Sequence, residues 1–216
     1  MHFNIQGLTA DKILDLEILL TYYDIDICCL TEHHWQGKEV IETFNLVKYK
    51  TVSSFSRTNF LKGGVCILAK NTLNFNNVKV SKICEEKTFE ICCAQFNFDV
   101  FSICVFSIYR SPKSDFSSFL TKLSTVLEDK YNSKYRYVIC GDVNVNFLPS
   151  AEKKDSKLLA NLLAEFNIKP TIFCPTRITD TSETCIDNIF TDIANGHVKV
   201  CDSDISDHTY QILSLK

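Results

Sequence analysis

The sequence predicts an α/β fold of four layers, in which two packed, mostly antiparallel β-sheets are flanked by helices. Short apolar runs rich in β-branched and aromatic residues recur along the whole chain. Between them lie a few longer segments with helical periodicity. Near-continuous apolar strands must be covered on both faces. Sheets buried by each other on one side and by helices on the other meet that need.

In chain order, the first helix is expected over Thr9 to Tyr23, with Thr9 as N-cap, Asp11 in the first turn and Ile13, Leu16, Leu19 and Leu20 facing inward. Strands follow at Asp26 to Thr31 and Gly64 to Ala69. The runs Thr88 to Phe98 and Val100 to Ile108 are separated only near Phe98 and Asp99, which reads as a hairpin with a tight polar turn. A second helix is expected from Ser114 to about Tyr131, where Phe116, Phe119, Leu120, Leu123, Val126 and Leu127 share a stripe. After a strand at Tyr137 to Cys140, the polar stretch Pro149 to Lys154 reads as a surface loop. A third helix, Asp155 to Phe166, stacks Leu158, Leu159, Leu162, Leu163 and Phe166. The last strands are Cys185 to Thr191, His197 to Cys201 and Thr209 to Leu215.

No Pro/Gly/Ser-rich linker or internal repeat divides the 216 residues, so one domain spanning 1–216 is expected. The net charge of −3 excludes a chain that is basic overall. Positive charge for a polyanion must then gather on a rim, and Lys48, Lys50, Arg57, Lys62, Arg110, Lys113 and Arg177 are the candidates. Eleven cysteines, an odd number with two adjacent pairs and no preceding signal peptide, point to free thiols in a reducing compartment. An intracellular protein, nuclear or cytoplasmic and not secreted, is therefore expected. No apolar run approaches membrane-spanning length, so no membrane contact is expected.

Polar residues stand where apolar runs stop, the place where a sheet presents side chains to a ligand. They are Asn4, Glu32, the pair Asp142 and Asn144, and the pair Asp207 and His208. Singly, each has a plain structural explanation: Asp-x-Asn after a strand makes a turn, and a carboxylate closing a strand solvates a loop. Their order along the chain is more telling. Asn-x-x-Gly-Leu (Asn4 to Leu8), Thr31-Glu32, Gly63-Gly64-Val65, Tyr109 to Pro112, Gly141 to Asn144, Ile186 to Ile189 and Ser206 to His208 follow one another across nearly the whole chain.

In that order these motifs resemble the endonuclease/exonuclease/phosphatase superfamily, most closely the apurinic-endonuclease-like endonuclease domains of non-LTR retrotransposons. The Trp-Cys-Asp-Arg segment of inositol polyphosphate phosphatases is replaced here by Cys185 to Asn188, and the Asp of apurinic endonucleases by Gln6. The resemblance implies a Mg²⁺-dependent phosphodiesterase, with Mn²⁺ as the alternative ion, that nicks DNA to leave a 3′-hydroxyl. It implies that Glu32, Asn4 and Asp207 serve the metal, Asp142 deprotonates the attacking water and Asn144 fixes it. It further implies that His208 stabilises the transition state, oriented by Asp187, while Tyr109 contacts the phosphate. Arg110, Lys113 and Arg177 are expected to bind substrate phosphates. His33 and His34 read as groove-lining loop residues, since adjacent imidazoles cannot both reach one ion from a strand end. A reverse transcriptase domain in the same parent polypeptide is the implied partner besides DNA. Two alternatives stand beside this reading: a phosphatase-like hydrolase using the same site, and a catalytically decayed or domesticated DNA-binding module.

Overall fold

A computed structural model of the chain describes residues 1–99, 101–151 and 154–215. In order the elements are β1 (His2–Asn4), α1 (Ala10–Tyr22), β2 (Ile27–Thr31), α2 (Lys38–Glu42), β3 (Tyr49–Phe55), β4 (Val65–Lys70), β5 (Phe75–Asn77) and a 3-10 turn at Ser81–Ile83. There follow β6 (Glu90–Asn97), β7 (Ser102–Tyr109), α3 (Phe116–Lys130), β8 (Tyr135–Asp142), α4 (Lys154–Ala164) and β9 (Lys169–Pro170). The chain continues through β10 (Arg177–Thr179), β11 (Ser182–Thr184), β12 (Asp187–Thr191), β13 (His197–Cys201) and β14 (Tyr210–Ser214).

Two six-stranded sheets result, ordered β13-β14-β1-β2-β4-β3 and β5-β6-β7-β8-β12-β9, with β10 and β11 as a separate hairpin. Each sheet contains one parallel pair among antiparallel neighbours. In the first, β1 and β2 are joined across α1; in the second, β7 and β8 are joined across α3. A parallel pair needs a crossover long enough to return the chain, and an amphipathic helix provides it while covering the outer face. The principal core lies between the sheets and continues beneath α3 and α4, and a second cluster with Leu16 and Leu20 lies under α1. Adjacent Cys28 and Cys29 enter these two different cores, as the twofold period of a strand requires. The expected four-layered sandwich is thus present.

Caps set the helix starts. Thr9 Oγ1 accepts from Lys12 N, as expected, whereas α3 begins later than Ser114 because Asp115 takes the cap, accepting from Ser118 N at 2.6 Å. In α4, Leu159 and Leu163 are buried but Leu158 turns outward, off the stripe assigned to it. Phe98 and Asp99 do join an antiparallel hairpin, β6–β7. Val100, and residues 152 and 153 of the expected loop, lie outside the described residues. Strand β3 was not apparent from the sequence because Tyr49-Lys50-Thr51-Val52-Ser53-Ser54-Phe55 lacks an apolar run, and a bulge between Thr51 and Ser53 breaks its alternation.

Gly141 shows how tightly β8 must approach β7. A Cβ there would stand 2.0 Å from the carbonyl oxygen of Ile108, a backbone atom that cannot step aside. We expect Gly141→Ala to destabilise the protein by about 1–3 kcal/mol, read as a lower urea midpoint at unchanged slope.

Candidate active site

Register across the second sheet sets four polar side chains in one line: Glu90 pairs with Tyr109, Tyr109 with Asp142, and Asp142 with Asp187. Residues opposite one another on neighbouring strands face the same side, so the row points into one space. The first sheet supplies the facing group. Asn4 ends β1 beside Thr31, and Glu32 follows immediately. The Asn4 amide joins the two sheets, donating from Nδ2 to Glu32 Oε1 at 3.0 Å and to Asp142 Oδ2 at 2.9 Å. His208, just before β14, lies 2.8 Å through Nδ1 from Asp187 Oδ2.

The backbone bends sharply to aim these groups. Gln6 (φ 47), Glu32 (φ 55), His34 (φ 65) and Asn144 (φ 49) all adopt the left-handed region, which costs free energy in residues bearing side chains. Tertiary hydrogen bonds hold them there: Glu32 N to Gly64 O, His34 N to Gly63 O, and Asn144 N to Asp142 Oδ1. Gly64 (φ 89) lies against His33, whose ring would be 2.3 Å from any Cβ at that position.

Burial and charge set the protonation of the site. Burial opposes ionisation of Glu32, but hydrogen bonds from His34 and Asn4 outweigh it and hold its pKa at about 2. Asp142 is pushed well up by burial and by the Asp187 and Glu32 carboxylates, against the pull of His208. Burial disfavours a charged His208, yet Asp187, Asp142 and Asp207 together raise it to about 9. Burial, with Glu32 and Asp142 nearby, raises the Tyr109 phenol above its ordinary range, so it remains a neutral hydroxyl.

Two carboxylate oxygens here, Asp187 Oδ1 and Asp207 Oδ1, are buried without a hydrogen-bond partner. Ligand atoms of Asp142, Asp187 and His208 all lie within 4.8 Å of one another. A buried excess of hard oxygen donors with orphaned lone pairs matches what a hard divalent cation requires. Asp142 and Asp187 supply those donors within the cluster, and Glu32 and Asp207 flank it, reached through Asn4 and His208.

Several sequence expectations change in detail. Asn4 Oδ1 accepts from Gln6 N, so the amide turns its NH₂ toward the site, where it tethers two carboxylates. Arg110 is not at the surface: only 4% exposed, it donates to the carbonyls of Val143, Asn144 and Ser114, fixing the Asp142–Asn144 loop from beneath. The Asn144 amide in turn donates to Arg110 O, 2.7 Å away. Arg57 is likewise buried, bound to Glu90, Ser111 and the Leu61 carbonyl. Lys48 and Lys50 stand at the opposite end of the first sheet, where Lys50 pairs with Ala69 rather than near Val65. Arg177 does border the site, donating to Asp207 Oδ2 at 2.9 Å, and Lys113 is exposed on the turn after β7. Thr176 was not foreseen. Fully buried, it donates to Asp187 Oδ2 and accepts from the Ile186 and Asp187 amides, with no flanking pattern to mark it.

His33 also departs from expectation, being buried rather than lining the groove. Nδ1 accepts from Trp35 N and Nε2 faces Phe55 O, a set that suits the neutral ring and leaves no acceptor for a second proton. Burial lowers its pKa from 6.5 to about 4. Neutral His33 therefore supports the fold above about pH 6.5, and that support is lost as pH falls through about 4. We expect up to roughly 3 kcal/mol of stability to disappear across this window in pH-dependent urea unfolding, with His33→Gln flattening the loss.

With this geometry in view, comparison with known proteins gives consistent results. The model of the Endonuclease/Exonuclease/phosphatase family matches residues 1–208. The endonuclease domain of TRAS1, a telomere-specific non-LTR retrotransposon, superposes with a TM-score of 0.76 at 15% identity, covering 100% of this chain and 96% of that one. An AP endonuclease from Archaeoglobus fulgidus gives 0.71 at 17%, covering 99% and 97%. The 3′ phosphatase NExo from Neisseria, bound to a product DNA hairpin, gives 0.72 at 13%, covering 100% and 98%. No curated protein matches the chain. At these identities the structural likeness is one of fold.

Proposed function

The chain belongs to the Endonuclease/Exonuclease/phosphatase family, and on that premise we propose that it is a divalent-metal-dependent nuclease that nicks DNA to leave a 3′-hydroxyl. The observation that carries this reading is the Asn4 bridge between Glu32 and Asp142, which places an acidic cluster from both sheets against the Asp187–His208 pair. Mg²⁺, or Mn²⁺ in its place, would be held by Glu32 and Asp207 with Asn4 beside them, and would neutralise charge on the phosphate. Asp142, with its raised proton affinity, accepts the proton of the attacking water. The Asn144 amide, held by Arg110 O, positions that water or a phosphate oxygen.

His208 is cationic at neutral pH and donates from Nε2 to the phosphoryl oxygen on which charge develops. Asp187 fixes its ring through Nδ1, and Thr176 holds the carboxylate in place. Tyr109, a neutral donor in the same row, contacts the phosphate. Arg177 and Lys113 take flanking phosphates. The likeness to the TRAS1 domain supports assigning the activity to target-site cleavage in a non-LTR retrotransposon, with a reverse transcriptase in the same polypeptide using the 3′-hydroxyl. No helix among the described residues is long and apolar enough to cross a membrane. A phosphatase reading is favoured by one observation, the fold shared with the 3′ phosphatase. Assaying a 3′-phosphorylated hairpin beside intact DNA separates the two.

Supercoiled plasmid incubated with Mg²⁺ should be nicked, and EDTA should abolish the reaction. Asp142→Asn and His208→Ala are each expected to lower the rate by about a hundredfold or more in gel-based nicking assays. Because His208 must be charged, nicking should decline as pH rises through about 9. Asp187→Asn removes the largest of the three carboxylate contributions that raise that pKa, so the alkaline limb should move to lower pH. A folded wild-type protein that leaves plasmid intact at every metal and pH would sink the nuclease reading.

A further inference from the structure

Two residues before Asn4, and on the same face of β1, His2 is fully buried and has no part in the chemistry above. Opposite it on β14 stands Gln211, fully buried as well. His2 Nδ1 lies 2.6 Å from Gln211 Oε1, and His2 Nε2 lies 3.4 Å from Thr31 Oγ1. The other end of the Gln211 amide donates to Thr209 O at 2.8 Å and to Thr209 Oγ1 at 3.0 Å. A backbone carbonyl can only accept, so that end is the NH₂ and Oε1 faces His2. Oε1 in turn needs a donor, which puts the proton of the imidazole on Nδ1 and leaves Nε2 to accept from the Thr31 hydroxyl. Burial holds the His2 pKa below its ordinary 6.5, so the ring is neutral at neutral pH.

This pair reaches both halves of the reaction centre. Thr31 immediately precedes Glu32, and Thr209 immediately follows His208. Thr209 N donates to Thr176 O at 2.7 Å, and the Thr176 hydroxyl donates to the Asp187 carboxylate that holds the imidazole. The His2 ring therefore stands between the strand that delivers the metal-side carboxylate and the segment that carries His208. Stability gives no reason for it. An apolar pair would fill the same space without removing two polar side chains from water. What the polar pair adds is direction. An apolar contact tolerates sliding, whereas a fully satisfied chain of hydrogen bonds fixes one arrangement.

We propose that His2 and Gln211 are positioning residues for phosphodiester cleavage, holding the Thr209 segment so that the His208 imidazole keeps a fixed place relative to Glu32. This rests on the DNA-nicking reading above. Neither side chain touches substrate or metal. Their effect passes through Thr209 to His208, whose Nε2 must meet one phosphoryl oxygen while the phosphate is held from the Glu32 side. A shift of about 1 Å between the two weakens an interaction made only in the transition state. Loss of the pair thus lowers kcat and leaves substrate binding as it was.

The test compares nicking kinetics on duplex DNA in Mg²⁺ with urea unfolding and ring NMR. His2→Leu with Gln211→Leu removes both partners together, so neither is left unmet, and the urea midpoint should stay near that of wild type. Its kcat should nevertheless fall about tenfold or more with KM within about twofold. His2→Asn, whose side-chain N–H takes the place of Nδ1–H, should restore kcat to within about threefold of wild type. Gln211→Met, a smaller change that also frees Thr209, should show the same kcat loss and serves where the double variant does not fold. Wild-type kcat in either folded variant, or a loss confined to KM, overturns the proposal; so does a His2→Asn protein no faster than the double variant. In ¹⁵N NMR the wild-type His2 proton should sit on Nδ1, and the His208 Nδ1 proton should exchange at least about tenfold faster once the pair is removed. A His2 proton on Nε2, or unchanged exchange at His208, overturns the proposal without reference to activity. If wild-type protein does not nick, the nuclease reading falls, and the exchange at His208 still decides whether the pair holds the imidazole.

Discussion

The structure depends on one constraint: the two sheets must meet with the ends of their parallel strand pairs opposed, and the Asn4 amide holds that meeting. Its two N–H groups reach a carboxylate from each sheet, Glu32 and Asp142. A neutral amide donating to both carboxyl groups is a stabilising arrangement where water is scarce, because each would otherwise be buried beside the other with its acceptors unmet. Removing it would not merely lose two hydrogen bonds. It would leave two carboxylates facing each other across the core, with the His208–Asp187 pair remaining as a bond between the sheets in this site.

The surrounding architecture consists largely of supports for groups that would not hold their places unaided. Arg110 and Arg57 illustrate this. Each spends its guanidinium on internal acceptors, the first beneath the Asp142–Asn144 loop and the second around Glu90. Burial keeps Glu90 above the usual carboxylate range even against the pull of Arg57. A pair whose desolvation is so incompletely offset adds little net stability, and its value lies in fixing position. Behind the row, His2 bonds Gln211 at 2.6 Å, and Gln211 donates to Thr209, beside His208. Polar groups are thus satisfied by one another in a region that apolar residues would fill more easily.

Much of this was legible in the residues. The strands with apolar runs and the three long helices could be placed because packing demands a period of two or of 3.6, and the candidate acids stood where those periods stopped. What escaped notice had no period to display. Strand β3 is half polar and bulged, and β10 and β11 form a short exposed hairpin. Thr176 acts through a single hydroxyl, for which flanking sequence offers no sign. Arg110 and Arg57 were misplaced for a different reason: a guanidinium looks the same in sequence whether it faces solvent or a ring of carbonyls, and only the fold decides which. Glu90 was hidden at the head of an apolar strand, and its place in the row became apparent only with the register.

The register also has a temporal meaning. The first strand pairs with the last, His2 opposite Gln211, and their side-chain bond closes 209 residues of chain. Asn4 must find Asp142, and Asp187 must find His208, before the acidic cluster is complete. Loop closure over such distances comes late in folding. During synthesis the acidic residues of the first half are therefore present before β14, the strand that pairs with β1, has left the ribosome. A chain lacking β14 keeps the Glu90–Tyr109–Asp142–Asp187 row but loses the strand that seats His208, so acid and imidazole meet only when the first and last strands of the domain have paired.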